Sequence, residues 1–298
     1  MNDMAAHGCG RRLPPFDGRG SAGRVLHGPG VRGIVPRIVQ SGAQSWPRRP
    51  LPAVGSMAPH ASPRPDGGVA LWLAQLDHFD AAALAVHLDT ADTARASAIA
   101  DGAARDRFIV SRGLLRQLLA ARSGVAPNEL TIRAGEHGKP TISHDTAAGC
   151  HFNLSHAGGW WLLAMTDGPV GVDLEMADRA VDATRLAARV FTPGEEAALQ
   201  LAGDDAAVVR AVFLDCWTRK EALLKAIGTG FAGGAKAFHV GPGPDDTIVP
   251  TPGHAQAALR VRSLALPFAA HAAIACAPAV MHYERSWLQG AALPGGAA

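Results

Sequence analysis

Two acidic residues, spaced two apart, lie in the apolar stretch Val-Gly-Val-Asp-Leu-Glu. On a β-strand, Asp173 and Glu175 would point to one face, because side chains alternate between the two faces. Val170, Val172 and Leu174 would fill the opposite face and fix the direction of both acids. Two carboxylates on one face can bind a hard cation, but such a pair is also common as two solvated acids. The spacing alone therefore leaves a metal site and an exposed polar face both open.

A third carboxylate and an amine lie in the stretch Trp-Thr-Arg-Lys-Glu-Ala-Leu-Leu-Lys. On a helix, Trp217, Glu221 and Lys225 follow at intervals of four and form one stripe. A Glu221–Lys225 ion pair would stabilise the helix by about 0.3–0.5 kcal/mol without any function. Together with Asp173 and Glu175, however, Glu221 would complete a set of oxygen ligands for Mg²⁺. Lys225 would then face a phosphate or a leaving group.

Several side chains upstream could contact an anion. Two arginines lie on a predicted helix, a lysine lies in a Gly-Lys-Pro turn, and a Ser-His pair follows Asn153 and a leucine. Each also has a structural explanation, as a solvated helix face, a turn, or a side chain that hydrogen-bonds a nearby backbone. The candidates are Arg107, Arg112, Lys139, Ser155 and His156.

The composition is that of a globular protein of one or two domains. Of the 298 residues, 48% are hydrophobic and 18% are charged. The four cysteines lie far apart without a C-x-x-C pair, which fits neither a disulfide framework nor a zinc site. The sequence lacks an apolar run of about 18 residues and a secretory signal. We therefore expect a soluble, cytoplasmic protein.

The first 67 residues differ from the rest of the chain. The first 65 hold nine arginines, two aspartates and ten of the 21 prolines, and they show no apolar periodicity. A nucleic-acid tail or a transit peptide is less favoured, because the Pro and Gly content would break an amphipathic helix. We expect a disordered leader over 1–67, much of which could precede a natural start at Met57.

The remaining sequence predicts strands and helices in two successive clusters. Thr192 and Glu195 have the spacing of a capping box, and Gly228 is suited to end the helix predicted from Asp205 to Ile227. Trp217 is interpreted as a core residue, and Lys220 is either exposed or close to a site. The predicted strands are 69–76, 150–156, 160–166 and 169–175, the last two joined by an Asp-Gly turn. Two later strands are predicted over 257–266 and 269–277. The predicted halves are 68–168 and 169–285, followed by a flexible tail over 286–298.

The motifs GKP, FNLSH, VGVDLE, FTPGEEAAL and WTRKEALLKAIGTG follow one another in this order. Their order and spacing resemble those of the Sfp-type 4'-phosphopantetheinyl transferases over about residues 69–280. The acidic pair followed by W-[ST]-x-K-E-x-x-x-K is specific, whereas each motif alone is weak. The resemblance favours the metal interpretation.

The resemblance implies transfer of the 4'-phosphopantetheine arm of coenzyme A to a serine of an apo acyl or peptidyl carrier protein, with release of 3',5'-adenosine bisphosphate. It implies that Mg²⁺ is held against the pyrophosphate, and that either Glu221 or a metal-bound water takes the serine proton. Ala157 replaces a small hydroxyl residue that is common in the family, which puts one phosphate contact in doubt. The implied metal ligands are Asp173, Glu175 and Glu221; His156 and Lys225 bind the phosphates, Lys139 and Ser155 contact the coenzyme, and Arg107 and Arg112 are candidates for its 3'-phosphate.

The resemblance also implies an α/β (α+β) fold of two similar halves related by a pseudo-twofold, with coenzyme A between them. Such a chain works as a monomer in fatty-acid, polyketide or nonribosomal-peptide biosynthesis. Two alternatives remain: a catalytically inactive protein that binds a carrier protein or coenzyme A, and a metal-dependent phosphodiesterase. A nucleic acid is not expected as a partner, since residues 66–298 carry a net charge of about −5, and a membrane is not expected, since the sequence lacks a long apolar run.

Overall fold

The computed structural model describes residues 45–51, 68–135, 138–142, 150–230, 234–280 and 282–290. The described chain is a mixed α/β structure, which confirms the predicted fold class. Within these ranges, no helix combines the length and apolarity needed to cross a bilayer. The strands are β1 (Arg48–Pro50), β2 (Val69–Gln75), β3 (Ile132–Ala134), β4 (Pro140–Ile142), β5 (His151–Ala157), β6 (Trp160–Thr166), β7 (Val170–Met176), β8 (Thr247–Pro250), β9 (Ala258–Ser263), β10 (Ala270–Cys276) and β11 (Tyr283–Gln289). The helices are α1 (Ala81–Ala85), α2 (Thr90–Ser97), α3 (Gly102–Ser123), α4 (Ala183–Val190), α5 (Pro193–Gln200) and α6 (Ala206–Ile227).

Two sheets form the centre of the molecule. One has the strand order β1-β11-β2-β6-β5, and the other has the order β7-β10-β9-β8. Apolar side chains from both sheets, among them Leu71 and Leu162 from the first and Val172 and Ile274 from the second, share one buried core. The outer faces of the sheets pack against α3 and α6 respectively. Strand β2 reads as a continuous apolar run because both of its faces are buried.

The two long helices have matching ends. Both α3 and α6 contain 22 residues, begin after an aspartate that accepts backbone N–H groups, and end at a glycine with positive φ. The aspartates are Asp101 and Asp205, and the glycines are Gly124 (φ 73°) and Gly228 (φ 86°). This correspondence agrees with two similar halves, and the pseudo-twofold itself stays a prediction.

The connection between β6 and β7 differs from the predicted Asp-Gly hairpin. The two strands lie in different sheets, so the chain at Asp167 and Gly168 crosses from one sheet to the other. The antiparallel partner of β6 is β5. Their turn contains Gly158 (φ 55°) and Gly159 (φ 81°), and positive φ at both central residues suits a tight hairpin turn. The prediction identified the strands correctly but joined the wrong pair.

The ends of the ordered region also differ from the expected boundaries. Within the predicted leader, Trp46 is buried, its indole donates to the carbonyl of Ala265 at 2.9 Å, and β1 pairs in parallel with β11. Within the predicted tail, Ser286 and Leu288 are buried in β11, which pairs in parallel with β2. Both segments are ordered because they extend the first sheet. The rest of the leader and residues 291–298 lie outside the described residues.

Candidate active site

The edge strands β5 and β7 bring the two sheets together at one line. The Asn153 side chain on β5 accepts a hydrogen bond from the backbone N–H of Val172 on β7 at 2.8 Å. Two residues further along β5, the Ser155 hydroxyl donates to Asp173 Oδ1 at 3.0 Å. Asn153 and Ser155 therefore share one strand face and join the two sheets through side-chain hydrogen bonds. The backbone that Asn153 binds lies on another strand, 19 residues later in the chain, and not nearby in the sequence.

Helix α6 lies against the face of β7 that carries the acidic residues. The closest approach is at Gly171, where an added Cβ atom would lie 2.1 Å from the carbonyl oxygen of Ala222 and 2.4 Å from the backbone nitrogen of Ala226. Only glycine leaves room for this contact. The short distance brings Glu221 and Lys225 of the helix next to the carboxylates of the strand.

Asp173 is the buried centre of the cluster. Its Oδ1 atom accepts from Lys225 Nζ at 2.6 Å and from Ser155. Lys225 Nζ also donates to the carbonyl of Val172 at 3.2 Å and to Ser155 Oγ at 3.3 Å. The second carboxylate oxygen, Oδ2, is buried and has no hydrogen-bond partner among the described residues. A buried carboxylate oxygen without a donor is costly, so it favours a bound cation or water.

Glu175 and Glu221 complete a group of three carboxylates. Burial and the Asp173 charge raise the pKa of Glu175, while Arg179, Lys225 and a hydrogen bond from the Trp217 indole oppose the shift. Burial and the Asp173 charge raise the pKa of Glu221 to about 7. The three acids thus share one electrostatic environment in which a further positive charge would be favourable.

The raised pKa of Glu221 predicts a pH-dependent stability in the absence of metal. Between its ordinary pKa of 4.5 and about 7, the folded protein binds more protons than the unfolded chain, so the free energy of unfolding falls as pH rises. The loss reaches at most about 3 kcal/mol. Glu221→Gln removes this pH-dependent loss of stability. In urea unfolding at pH 8 with a chelator, the variant should therefore be more stable than the wild type. Equal pH slopes for the two proteins would contradict the assignment.

His156 and Lys139 are the two further predicted site residues near β7 and α6. His156 lies on the strand face opposite to Ser155, and partial burial of its side chain together with the charge of Lys225 lowers its pKa. Lys139 Nζ donates to the carbonyls of Val170 at 3.0 Å and Ala226 at 3.1 Å. Burial lowers the pKa of Lys139 to about 8. Lys139 therefore ties the start of β7 to the end of α6, and its contact with coenzyme A stays a prediction.

The two arginine candidates make ion pairs in the first half. Arg107 donates to both carboxylate oxygens of Asp77 at 2.7 and 2.9 Å, beside Gly159 in the β5–β6 turn. Arg112 donates to Asp92 at 2.8 Å between α2 and α3. Arg107 is thus close to the end of strand β5, whereas Arg112 stabilises helix packing. A role for either in binding the 3'-phosphate stays a prediction.

Sequence comparisons establish the family. A profile of the 4'-phosphopantetheinyl transferase superfamily matches residues 169–277, and a profile described as 4'-phosphopantetheinyl transferase, N-terminal, matches residues 70–167. The 4'-phosphopantetheinyl transferase HetI of Nostoc sp. is 35% identical over 168 residues, which cover 55% of this chain and 70% of HetI. This chain belongs to the 4'-phosphopantetheinyl transferase superfamily. The resemblance carried by the sequence motifs is confirmed.

Other relatives match a shorter part of this superfamily member. A putative 4'-phosphopantetheinyl transferase of Synechocystis is 36% identical over 132 residues, 44% of this chain and 52% of that protein. The 4'-phosphopantetheinyl transferase of Bacillus subtilis is 31% identical over 135 residues, 45% of this chain and 57% of that protein. The chain thus spans little more than half the length of these two relatives.

The residues fit the Mg²⁺ that the resemblance to the superfamily implies. In the part of the chain that the structure describes, no three His, Cys, Asp or Glu side chains are already grouped as a metal site. Two of the three predicted ligands are in ion pairs instead, Asp173 with Lys225 and Glu175 with Arg179. All three offer oxygen donors, and the unpartnered Asp173 Oδ2 atom is a ready position for a hard cation. The ligand assignment stays a prediction.

Lys220 of α6 and Glu195 of α5 form a buried ion pair. Glu195 completes the predicted capping box with Thr192, and its carboxylate also accepts from Lys220 at 2.7 Å and from the backbone N–H of Val240 at 2.8 Å. Burial alone would raise the pKa of Glu195, but these hydrogen bonds lower it. Both side chains are at most 1% exposed, so Lys220 is not the exposed residue that the sequence left open. The prediction of Glu195 as a cap is confirmed.

Breaking this pair should be strongly destabilising. Lys220→Met leaves the Glu195 charge buried without its partner, and should lower the free energy of unfolding by about 3–5 kcal/mol. Adding Glu195→Gln to the same protein should recover part of the loss, because the uncompensated charge is then gone. Urea unfolding of the single and double variants measures both values. A double variant that loses the sum of the two single effects would contradict the coupling.

One residue of the site was missed at the level of the sequence. Arg179 follows Glu175 by four residues, and its guanidinium lies 5.6 Å above the Trp217 ring while it pairs with the Glu175 carboxylate. The Glu-x-x-x-Arg spacing was a visible signal. It was not informative alone, since residues four apart meet on a helix but not at the end of a strand.

Proposed function

We propose that the protein transfers the 4'-phosphopantetheine arm of coenzyme A to a serine of an apo acyl or peptidyl carrier protein in a Mg²⁺-dependent reaction. The serine oxygen attacks the β-phosphorus of the pyrophosphate and forms a phosphodiester. The bond from that phosphorus to the bridging oxygen breaks, and 3',5'-adenosine bisphosphate leaves. The serine proton must pass to a base. The superfamily membership supports this reaction class.

The cluster around Asp173 is suited to the charges that develop in this reaction. When bound, Mg²⁺ supplies positive charge to the pyrophosphate oxygens, with Asp173, Glu175 and Glu221 as its protein ligands. Lys225 is the amine closest to these acids, and it contributes a second positive charge for the phosphates and the departing group. His156, within electrostatic reach of Lys225, donates to the same phosphates.

Glu221 is the proposed proton acceptor. Without metal, burial together with the Asp173 charge brings its pKa to about 7, but a bound cation would lower that pKa, so the assignment rests on the position of Glu221 and not on its pKa. Glu221 extends from the same helix stripe as Lys225, so it lies next to the proposed phosphate position. We infer that the serine proton moves to a Glu221 carboxylate oxygen.

We infer that the protein acts as a cytoplasmic monomer. All the side chains assigned to the site come from one chain, and Ser155 and Asp173 from the two halves are directly hydrogen-bonded, which supports activity without a second subunit. Three cysteines in the described part, Cys150, Cys216 and Cys276, are free thiols, in keeping with a reducing compartment. The proposed partners are coenzyme A and an acidic carrier protein. Neither a nucleic acid nor a membrane is proposed as a partner.

The observation that supports the proposal is the buried, unpartnered Oδ2 atom of Asp173, whose charge acts on Glu175 and Glu221 and whose Oδ1 atom pairs with Lys225. The test is the intact mass of several apo carrier proteins after incubation with the protein, coenzyme A and Mg²⁺, beside a sample with chelator. A metal-dependent gain of one phosphopantetheine group is expected. Coenzyme A binding without transfer to any carrier would favour an inactive binding protein, and hydrolysis of a phosphodiester substrate instead would favour a phosphodiesterase.

A further inference from the structure

We propose that Arg179 is an internal counter-ion that holds the Glu175 carboxylate until a divalent cation replaces it, and thereby sets the metal affinity of the site. The inference rests on the proposed function, because it takes Glu175 as a metal ligand. It assigns a positioning role to a residue outside the predicted catalytic set.

Contacts on two sides fix Arg179 in this position. The residue lies just after β7, where its backbone N–H donates to the carbonyl of Met176 at 3.1 Å and closes a turn. Its Nη1 atom donates to Glu175 Oε1, and its guanidinium lies over the indole of Trp217. Trp217 in turn donates a hydrogen bond to Glu175. The three side chains therefore form a closed unit in which the arginine is directed at the carboxylate.

Two cationic side chains partly offset the three carboxylates of the site in this structure. Asp173, Glu175 and Glu221 carry the negative charge, Lys225 pairs with Asp173, and Arg179 pairs with Glu175. The Arg179 charge also acts on Glu221. The pair is partly shielded from water, with 19% of the Glu175 side chain and 35% of the Arg179 side chain exposed. It is therefore less screened than an ordinary surface pair.

Metal binding and the Arg179 contact oppose each other. Arg179 uses one carboxylate oxygen of Glu175, and a divalent ion on the other would bring three positive charges to one carboxylate. A cation must accordingly displace Arg179 or bind against its repulsion. Cation binding and the Arg179–Glu175 contact therefore weaken each other, which is a positive coupling free energy. The pyrophosphate of coenzyme A, which adds negative charge, should therefore help a cation to bind.

Loss of the arginine should therefore tighten metal binding. Mn²⁺ is titrated into the full-length protein with saturating coenzyme A, and free Mn²⁺ is followed by electron paramagnetic resonance. Arg179→Gln should lower the Kd for Mn²⁺ by about fivefold or more, and Arg179→Lys, which keeps the charge, should stay closer to the wild type. Arg185→Gln, which removes an exposed charge from α4, is the matched control and should leave the Kd unchanged.

A second readout separates this role from a purely structural one. With chelator present, Arg179→Gln should melt at a lower temperature than the wild type, because Glu175 loses its counter-ion. The same variant should gain more thermal stability from Mn²⁺ and coenzyme A than the wild type gains. A structural arginine would lower the melting temperature equally in both conditions.

The outcomes distinguish the two levels of the account. If Asp173→Asn abolishes Mn²⁺ binding while Arg179→Gln leaves the Kd unchanged or weakens it, the metal site stands and the counter-ion role is wrong. If the wild type and all variants fail to bind Mn²⁺ in the presence of coenzyme A, the proposed function itself is wrong.

Discussion

Asp173→Asn should lower the rate of phosphopantetheine transfer by about a hundredfold to a thousandfold or more while the protein stays folded. The amide keeps an oxygen that accepts from Ser155 and Lys225, so the hydrogen bonds at Oδ1 survive. The negative charge is lost, and with it a metal ligand and the charge that strengthens the Lys225 contact. The charge repulsion on Glu175 and Glu221 also falls, and therefore the free energy of unfolding should change by no more than about 1–2 kcal/mol.

A second ion-paired aspartate provides the matched control for this variant. Asp246 pairs with Arg260 and Arg262 on the β8–β9 side of the second sheet, and β10 separates those strands from β7. Asp246→Asn should cost stability but keep the transfer rate of the folded protein within about threefold. Intact-mass kinetics on one carrier protein give both rates. Equal rates for Asp173→Asn and the wild type would remove Asp173 from the site.

Gly171→Ala should be among the most damaging single-methyl changes in the protein. The added Cβ atom would meet backbone atoms of α6 at 2.1 and 2.4 Å, and neither can move by a side-chain rotation. The helix would have to shift away from β7 and open the core that it covers, at a cost of about 3 kcal/mol or more. Because a shift of about 1 Å at Glu221 and Lys225 can itself cost about a hundredfold in rate, folded molecules should also be poorly active.

Gly168→Ala is the control for that variant. Gly168 lies three residues earlier, has no heavy atom within 4 Å of the position that a Cβ atom would take, and does not have a positive φ. Its replacement should leave the unfolding midpoint nearly unchanged or slightly raised. Urea unfolding and transfer rates of both variants are compared with the wild type. A Gly171→Ala protein as stable as Gly168→Ala would show that α6 does not need this close contact.

The strands and helices that carry the site follow well from local sequence signals. Strand β7 alternates between acids and apolar residues, and the structure places Asp173 towards α6 and Val172 in the core between the sheets. Thr192 and Gly228 bound their helices as their residue types predict, since both act through their own backbone or side chain. Such signals act within a few residues, so they can be recognised without the tertiary structure.

The features that depend on distant segments were not predictable in the same way. Nothing in the stretch Tyr-Glu-Arg-Ser-Trp-Leu-Gln around Trp287 shows that it pairs with β2, more than 200 residues earlier in the chain. The Asp-Gly pair after β6 has the composition of a hairpin turn, but the chain crosses between sheets there because β5 already occupies the neighbouring position. The buried state of Lys220 likewise depends on Glu195 and on the backbone around Phe238.

The contacts within the site are also a tertiary property. The stripe of Trp217, Glu221 and Lys225 was visible on a helical projection, which suggested a Glu221–Lys225 pair. In the structure Lys225 pairs with Asp173 instead, because α6 lies so close to β7 that the strand carboxylate is nearer. Helical spacing therefore identified the right residues but not the right pair.

The most direct test of the central claim is whether coenzyme A and a divalent cation bind together through Asp173. Calorimetric titration of coenzyme A into the wild type should give a Kd at least about tenfold lower with Mg²⁺ than with chelator, corresponding to about 1.4 kcal/mol. Asp173→Asn should bind coenzyme A with the same Kd in both conditions. An effect of Mg²⁺ that is equal in the two proteins, or absent from the wild type, would contradict the proposed metal site.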